Sequence, residues 1–186
     1  MSVRLLRHRF TVDEYHRMAD AGILTEDDRV ELIQGEIVEM VPIGSRHAAC
    51  VNRLAQSLAR EAAGDTIVSV QNPVRLGEDS EPQPDVALLR PRPDFYAGGL
   101  PGPTDVLLVV EVAETSADSD REIKIPLYAR AGVPEVWLVD LRAATVEVYR
   151  NPSPQGYRAA VRHRRGEPLS VEALPDLRVL VDEVLA

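Results

Sequence analysis

The run from Asp105 to Ala113, DVLLVVEVA, restricts this chain more than any other segment. Its apolar residues follow one another without alternation, so both faces of the strand they form must be covered. That places the strand in the interior of a sheet with material packed on both sides. The uninterrupted part, Val106 to Val110, is far too short to cross a bilayer, and no 18-residue apolar stretch exists elsewhere. Glu111 breaks the run. A carboxylate inside so apolar a segment is costly to bury without compensation. The plain reading is a glutamate at the strand's end that faces solvent or an arginine. The sharper reading is a metal ligand.

Helices and further strands fit around that centre. Thr11 and Glu14 have capping-box spacing, with Val12, Tyr15 and Met18 at helical intervals, which predicts a helix to about Ala21 with Gly22 as its stop. Arg29 to Ile33 and Glu36 to Val41 flank the pair Gln34-Gly35 and read as a hairpin. Ser45 to Ala63 carries a helical stripe of Ala48, Val51, Leu54, Ala55 and Leu58, with Gly64 past its end. Strands are expected over Thr66–Gln71, Asp85–Leu89, Glu135–Asp140, Thr145–Arg150 and Tyr157–Val161. A Gly- and Pro-rich loop is expected over Asp94–Thr104, and a short helix over Val181–Leu185. Asp118 to Ala131 reads as a helix stopped by Gly132. Pro126 conflicts with it, so a kink or a later start is expected there. The fold class is therefore α/β (α+β), a mixed central sheet flanked by helices, with an N-terminal helix and hairpin, in one domain over 1–186.

Charge and composition narrow the chemistry. The net charge of −9 and an isoelectric point near 5.0 argue against a simple electrostatic nucleic-acid binder. Two basic clusters run the other way: Arg4, Arg7, His8 and Arg9, and Arg158 with Arg162 to Arg165. Each reads as solvated surface; together they would make a basic rim. Cys50 is the only cysteine, which rules out an internal disulfide and a cysteine zinc site and fits a reducing cytoplasm. It lies in a helical stripe, where a small buried residue is the default, and His47 is a weak partner for it. There is no phosphate-binding loop, no His-Glu-x-x-His helix and no Gly-x-Ser-x-Gly elbow.

Asp85 follows Pro84 at the mouth of its strand, which alone reads as a turn. Its weight comes from Glu111, because carboxylates on neighbouring strands can point at one magnesium ion. Lys124 is the only lysine, and an ammonium is a compact charge able to touch one water or one phosphate oxygen. Tyr128, one turn on, shares its helix face and reads most simply as core. Glu31 reads as an exposed edge of the hairpin or, more sharply, as support for a metal or water. His47 and Gln71 have no partner spacing.

With Pro84-Asp85, Glu111-Val112, Asp120 and Lys124 in view, the chain resembles the PD-(D/E)XK nuclease superfamily. More closely, it resembles a bacterial family known as putative restriction endonucleases, formerly a domain of unknown function. The matching stretches include Glu31 to Met40, Gln83 to Val86, Val110 to Ala113 and Asp120 through Asp140. One departure stands out. The superfamily's lysine usually follows the glutamate by two positions, where this chain has Ala113, and in the related family it moves to the next helix, where Lys124 lies. The resemblance implies a restriction-endonuclease-like core acting on DNA, with Mg2+ (or Mn2+ in its place) held by Asp85, Glu111 and the carbonyl of Val112. It further implies Lys124 on the water or phosphate, Glu31 in support, and a homodimer. A non-catalytic binding or regulatory protein on the same fold is the alternative, and a homodimeric structural protein a third.

Overall fold

The computed structural model describes residues 7–25, 27–62 and 66–185. Arg4 of the first basic cluster, and Ala63 and Gly64 at the expected end of the second helix, lie outside them. The elements run α1 (Val12–Asp20), β1 (Val30–Ile33), β2 (Glu36–Glu39), α2 (Ser45–Glu61), β3 (Ile67–Val70), β4 (Val86–Leu89) and β5 (Val106–Ala113). Next along the chain are α3 (Ala117–Ser119), a π-helical turn (Asp120–Lys124), α4 (Ile125–Ala131), β6 (Glu135–Asp140), β7 (Thr145–Ser153), β8 (Gly156–Arg164), β9 (Pro168–Val171), β10 (Leu174–Leu180) and α5 (Val181–Leu185).

Six strands form one mixed sheet in the order β3-β4-β5-β6-β7-β8, in which only β5 and β6 run parallel. The apolar run is β5, buried along its whole length in the middle of that sheet. Its two faces meet different partners. Leu108, Val110 and Val112 pack with Cys50, Val51, Leu54 and Leu58 of α2 and with the apolar residues of β9, β10 and α5. Val109 and Ala113 pack with Ile125 and Tyr128 beside Val136 and Leu138. Glu111 therefore points to the α4 side, on the face where the alternation puts it.

Caps and turns set the helices and the hairpin around this sheet. The capping box at Thr11 forms as the spacing predicts. The Gln34-Gly35 pair takes positive φ at both residues (52° and 75°), as a two-residue hairpin turn demands, and β1 and β2 form a two-stranded sheet, with Leu32 of β1 also bridging to Glu81. The expected Pro126 kink takes the form of a π turn: the N–H of Ile125 reaches back five residues to the carbonyl of Asp120, and Pro126 falls in the first turn of α4, where its missing N–H costs little.

The strands β9 and β10 are absent from the expectations, although Leu169 and Val171, then Leu177 and Val179, alternate inward. Pro168 and Pro175 hide that pattern. β7 and β8 also extend through Pro152 to a tight turn, longer than expected. Among the described residues no helix is long and apolar enough to cross a membrane.

Candidate active site

Asp85, Glu111, Val112, Lys124 and Glu31 all line one cavity of about 360 Å³. The cavity lies where the C-terminal end of β5 meets the start of β4, because the antiparallel register pairs Val86 with Val110 and brings Asp85 alongside Glu111. The π turn lies above the same point and delivers Lys124. Its ammonium stands 3.1 Å from Glu31 Oε1 and 3.4 Å from Glu111 Oε1.

Each acid is held by specific donors. Asp85 Oδ2 accepts from the backbone N–H of Val112 at 2.8 Å. Asp85 Oδ1 accepts from Nε2 of His47 at 2.8 Å and from the Gln71 amide at 3.2 Å. Glu111 Oε1 accepts from the Tyr128 hydroxyl at 2.6 Å and forms an ion pair with Lys124 at 3.4 Å, whereas among the described residues no hydrogen bond reaches Glu111 Oε2. Glu31 Oε2 accepts from the N–H of Gln83. Asp120, also on the cavity wall, accepts from the Ser116 hydroxyl at 2.8 Å. Gln71 adopts φ 52°, a left-handed conformation that costs a non-glycine residue about 1 kcal/mol, and its N–H and side chain both reach Asp85.

The electrostatics follow from this crowding. Six carboxylates line the cavity (Glu31, Glu39, Asp85, Glu111, Glu114 and Asp120) against Arg29, Lys124 and the His47 ring. Burial pushes Glu111 up to about 8; Lys124 works against that shift, while Asp85, Asp120 and Glu31 add to it. Asp120 is raised by burial, although Ser116 and Lys124 oppose it. Burial disfavours the charge on Lys124, yet Glu111 and Glu31 outweigh it and hold the amine above the usual lysine range. The hydrogen bond to Asp85 raises His47 despite burial. Tyr128 is raised well above its ordinary value by burial and then by Glu111, so it stays a donor.

Several expectations change here. Glu31 is not an exposed edge residue; it is 5% exposed, buried like its neighbours Leu32 and Ile33, because β1 is covered on both faces while β2 stays largely exposed. Tyr128 is core and site together. His47 and Gln71, which no spacing distinguishes, are the partners of Asp85. Asp120 stands four residues before Lys124, a helical spacing that would have placed it beside the amine. Cys50 is buried, with burial pushing its thiol up to about 12, which removes it as a nucleophile. No described residue of either basic cluster lines the cavity; Arg7 and Arg9 pair with Glu36, and Arg162 pairs with Glu147.

The donors fit a hard divalent cation in their chemistry: oxygen ligands, an unpartnered Glu111 oxygen and an excess of negative charge. Among the described residues no three His, Cys, Asp or Glu side chains already form a cation cage, since Lys124 bridges Glu31 and Glu111.

Comparison with known proteins gives a family and a fold. The family model "Uma2: Putative restriction endonuclease" matches residues 12–182. No curated protein matches the chain. Among solved structures, a crystal structure of "a putative nuclease belonging to DUF820" from Anabaena variabilis ATCC 29413 superposes with a TM-score of 0.74. It shares 17% sequence identity, over 95% of this chain and 97% of that one, a likeness that speaks to the fold alone.

Proposed function

Because the chain belongs to the Uma2 "Putative restriction endonuclease" family, we propose that it is a metal-dependent endonuclease that hydrolyses phosphodiester bonds in DNA. The family supports a nuclease in general. The roles of individual residues rest on one observation: Asp85, Glu111 and Lys124, from two strands and a π turn, share one acidic cavity.

In this reading Asp85 and Glu111 hold magnesium, with the Val112 carbonyl assisting, and manganese substitutes for it. When bound, the ion lowers the pKa of water and polarises the phosphate. The chain's own residues do the positioning. His47, Gln71 and the Val112 N–H fix the Asp85 carboxylate, and Tyr128 fixes Glu111 so that its free oxygen faces the cavity. Glu31 holds Lys124 in place, leaving its remaining N–H donors to orient the attacking water or to stabilise charge on the phosphate. Two such clefts would reach both strands of a duplex at once, so the reading includes a homodimer, working in the cytoplasm.

The test is cleavage of circular DNA with magnesium by the wild type and by Asp85→Ala and Lys124→Ala. Each variant is expected to lose at least about 100-fold in rate. Wild-type-like cutting by both would overturn the assignment. A second reading, a non-catalytic binder, draws on the ion pairs by which Lys124 already offsets Glu31 and Glu111. It predicts DNA binding by the wild type with neither cutting nor metal uptake.

A further inference from the structure

The first turns of α2 separate two cavities of opposite character. Gly44 and His47 line the acidic one, while Ser45, Arg46 and Arg53 line another of about 260 Å³ together with Arg165. Among the described residues that second lining carries three guanidiniums and no carboxylate, in a chain whose net charge is −9. Both cavities lie at the same end of the sheet. Val112 is near the end of β5, Leu141 follows the parallel β6, Ala144 precedes β7 and Arg165 follows β8. By strand spacing, Leu141 and Arg165 lie one and three strands from β5, roughly 5–15 Å along the sheet, and Arg46 reaches Glu114 on the wall of the acidic cavity. A nucleic-acid strand covers that distance in a few nucleotides.

The guanidiniums keep donors to spare. Among the described residues Arg46 reaches Glu114 and the carbonyl of Leu141, Arg165 reaches Asp182 and the carbonyl of Leu185, and Arg53 reaches the carbonyl of Val184 alone. Among the described residues Arg53 has no carboxylate partner. Each guanidinium has five N–H donors and uses one or two. Glu114 and Asp182 do not line this cavity. No side chain caps α2, whose Gly44 N-cap leaves the first-turn N–H groups to add partial positive charge between the two cavities. An acidic cleft that must hold a polyanion needs positive charge outside the reacting centre, and this cavity offers three guanidiniums for it.

We propose that Arg46, Arg53 and Arg165 form a phosphate-binding subsite for the nucleic-acid backbone running out of the acidic cleft. The inference rests on the nuclease reading. Its rival is structural: Arg53 and Arg165 also tie down the last carbonyls of α5.

The test measures binding of a fluorescent DNA oligonucleotide by anisotropy, with divalent metal chelated, over a series of potassium chloride concentrations. For Arg53→Gln/Arg165→Gln the slope of log affinity against log salt should fall in magnitude by about 1.5, as two lost phosphate contacts require. Arg53→Lys/Arg165→Lys should keep it. In cleavage with magnesium, the Gln variant should lose on KM and not on kcat. Should the Gln pair unfold by circular dichroism, Arg46→Gln, which does not touch α5, takes its place with a slope change of about 0.8. A folded Gln variant with the wild-type slope and KM overturns the subsite and leaves the nuclease reading intact. Loss of slope in a protein that never cuts supports the subsite and refutes the nuclease. A wild type that binds no DNA overturns both.

Discussion

Glu111 and Glu147 occupy the same row of one sheet. The register pairs Glu111 with Leu138 and Leu138 with Glu147, so both side chains rise from the same face two strands apart, 4% and 6% exposed. The same π turn covers both, with Arg121 over one and Lys124, three residues on, beside the other. Burial acts to raise each. At Glu147, hydrogen bonds from Arg121, Tyr149 and Arg162 outweigh it and hold the carboxyl below the usual range. At Glu111 burial prevails: the Tyr128 hydroxyl and one ammonium, shared with Glu31, fall short, and the carboxyl is pushed up to about 8. The difference teaches how to read a buried acid. Where guanidiniums satisfy it, the group serves the fold; where its compensation is incomplete, as at Glu111, the proposed function gives it a cation to hold.

Breaking the comparison at Lys124 should have the largest effect on chemistry. Lys124→Ala is expected to cut DNA at least about 100-fold more slowly, while Arg162→Ala, which removes one cation from Glu147, leaves the rate within a few-fold. Steady-state cleavage of a labelled duplex reads both. Next come the groups that hold Asp85: His47→Ala and Gln71→Ala should each cost about 10–100-fold in activity or in magnesium affinity, the usual range for groups that orient a ligand.

The third prediction concerns stability and has opposite signs at the two glutamates. Glu147→Gln strips charge from a satisfied network and should destabilise by on the order of 2 kcal/mol. Glu111→Gln removes an acid already held near neutrality and should leave metal-free stability equal or higher. Urea unfolding followed by circular dichroism distinguishes them.

The smallest effect sharpens the comparison by pH. Folded, metal-free protein keeps the Glu111 proton up to about 8, whereas the unfolded chain releases it near 4.5. The folded state thus binds the extra proton, and the stability this contributes is complete below 4.5 and lost as pH rises to about 8. Magnesium must displace that proton, so the Tm gain on adding it should grow between mildly acidic and mildly alkaline buffer, by about 3 °C for each 1 kcal/mol. Glu111→Gln should flatten that trend, and Glu147→Gln should not.

The parts of the site that sequence reveals are those that violate their surroundings. Glu111 interrupts an apolar run, Lys124 is alone among arginines, and Asp85 gains meaning from the strand beside it. What stays hidden depends on tertiary contact. Glu31 looks like a hairpin edge because nothing local says that the hairpin lies against Lys124. His47 meets Asp85 across 38 positions, and no periodicity links them. The fold divides the same way: β5 and the helices around it are legible from period and caps, whereas the β9–β10 hairpin is masked by prolines that its pairing tolerates.

Calorimetric titration of manganese into metal-free protein near pH 8 tests the central claim most directly. One ion per chain is expected for the wild type and for Glu147→Gln, and none for Glu111→Gln. Equal uptake by Glu111→Gln, or no uptake by the wild type, would contradict the assignment of this row's unsatisfied acid to a cation.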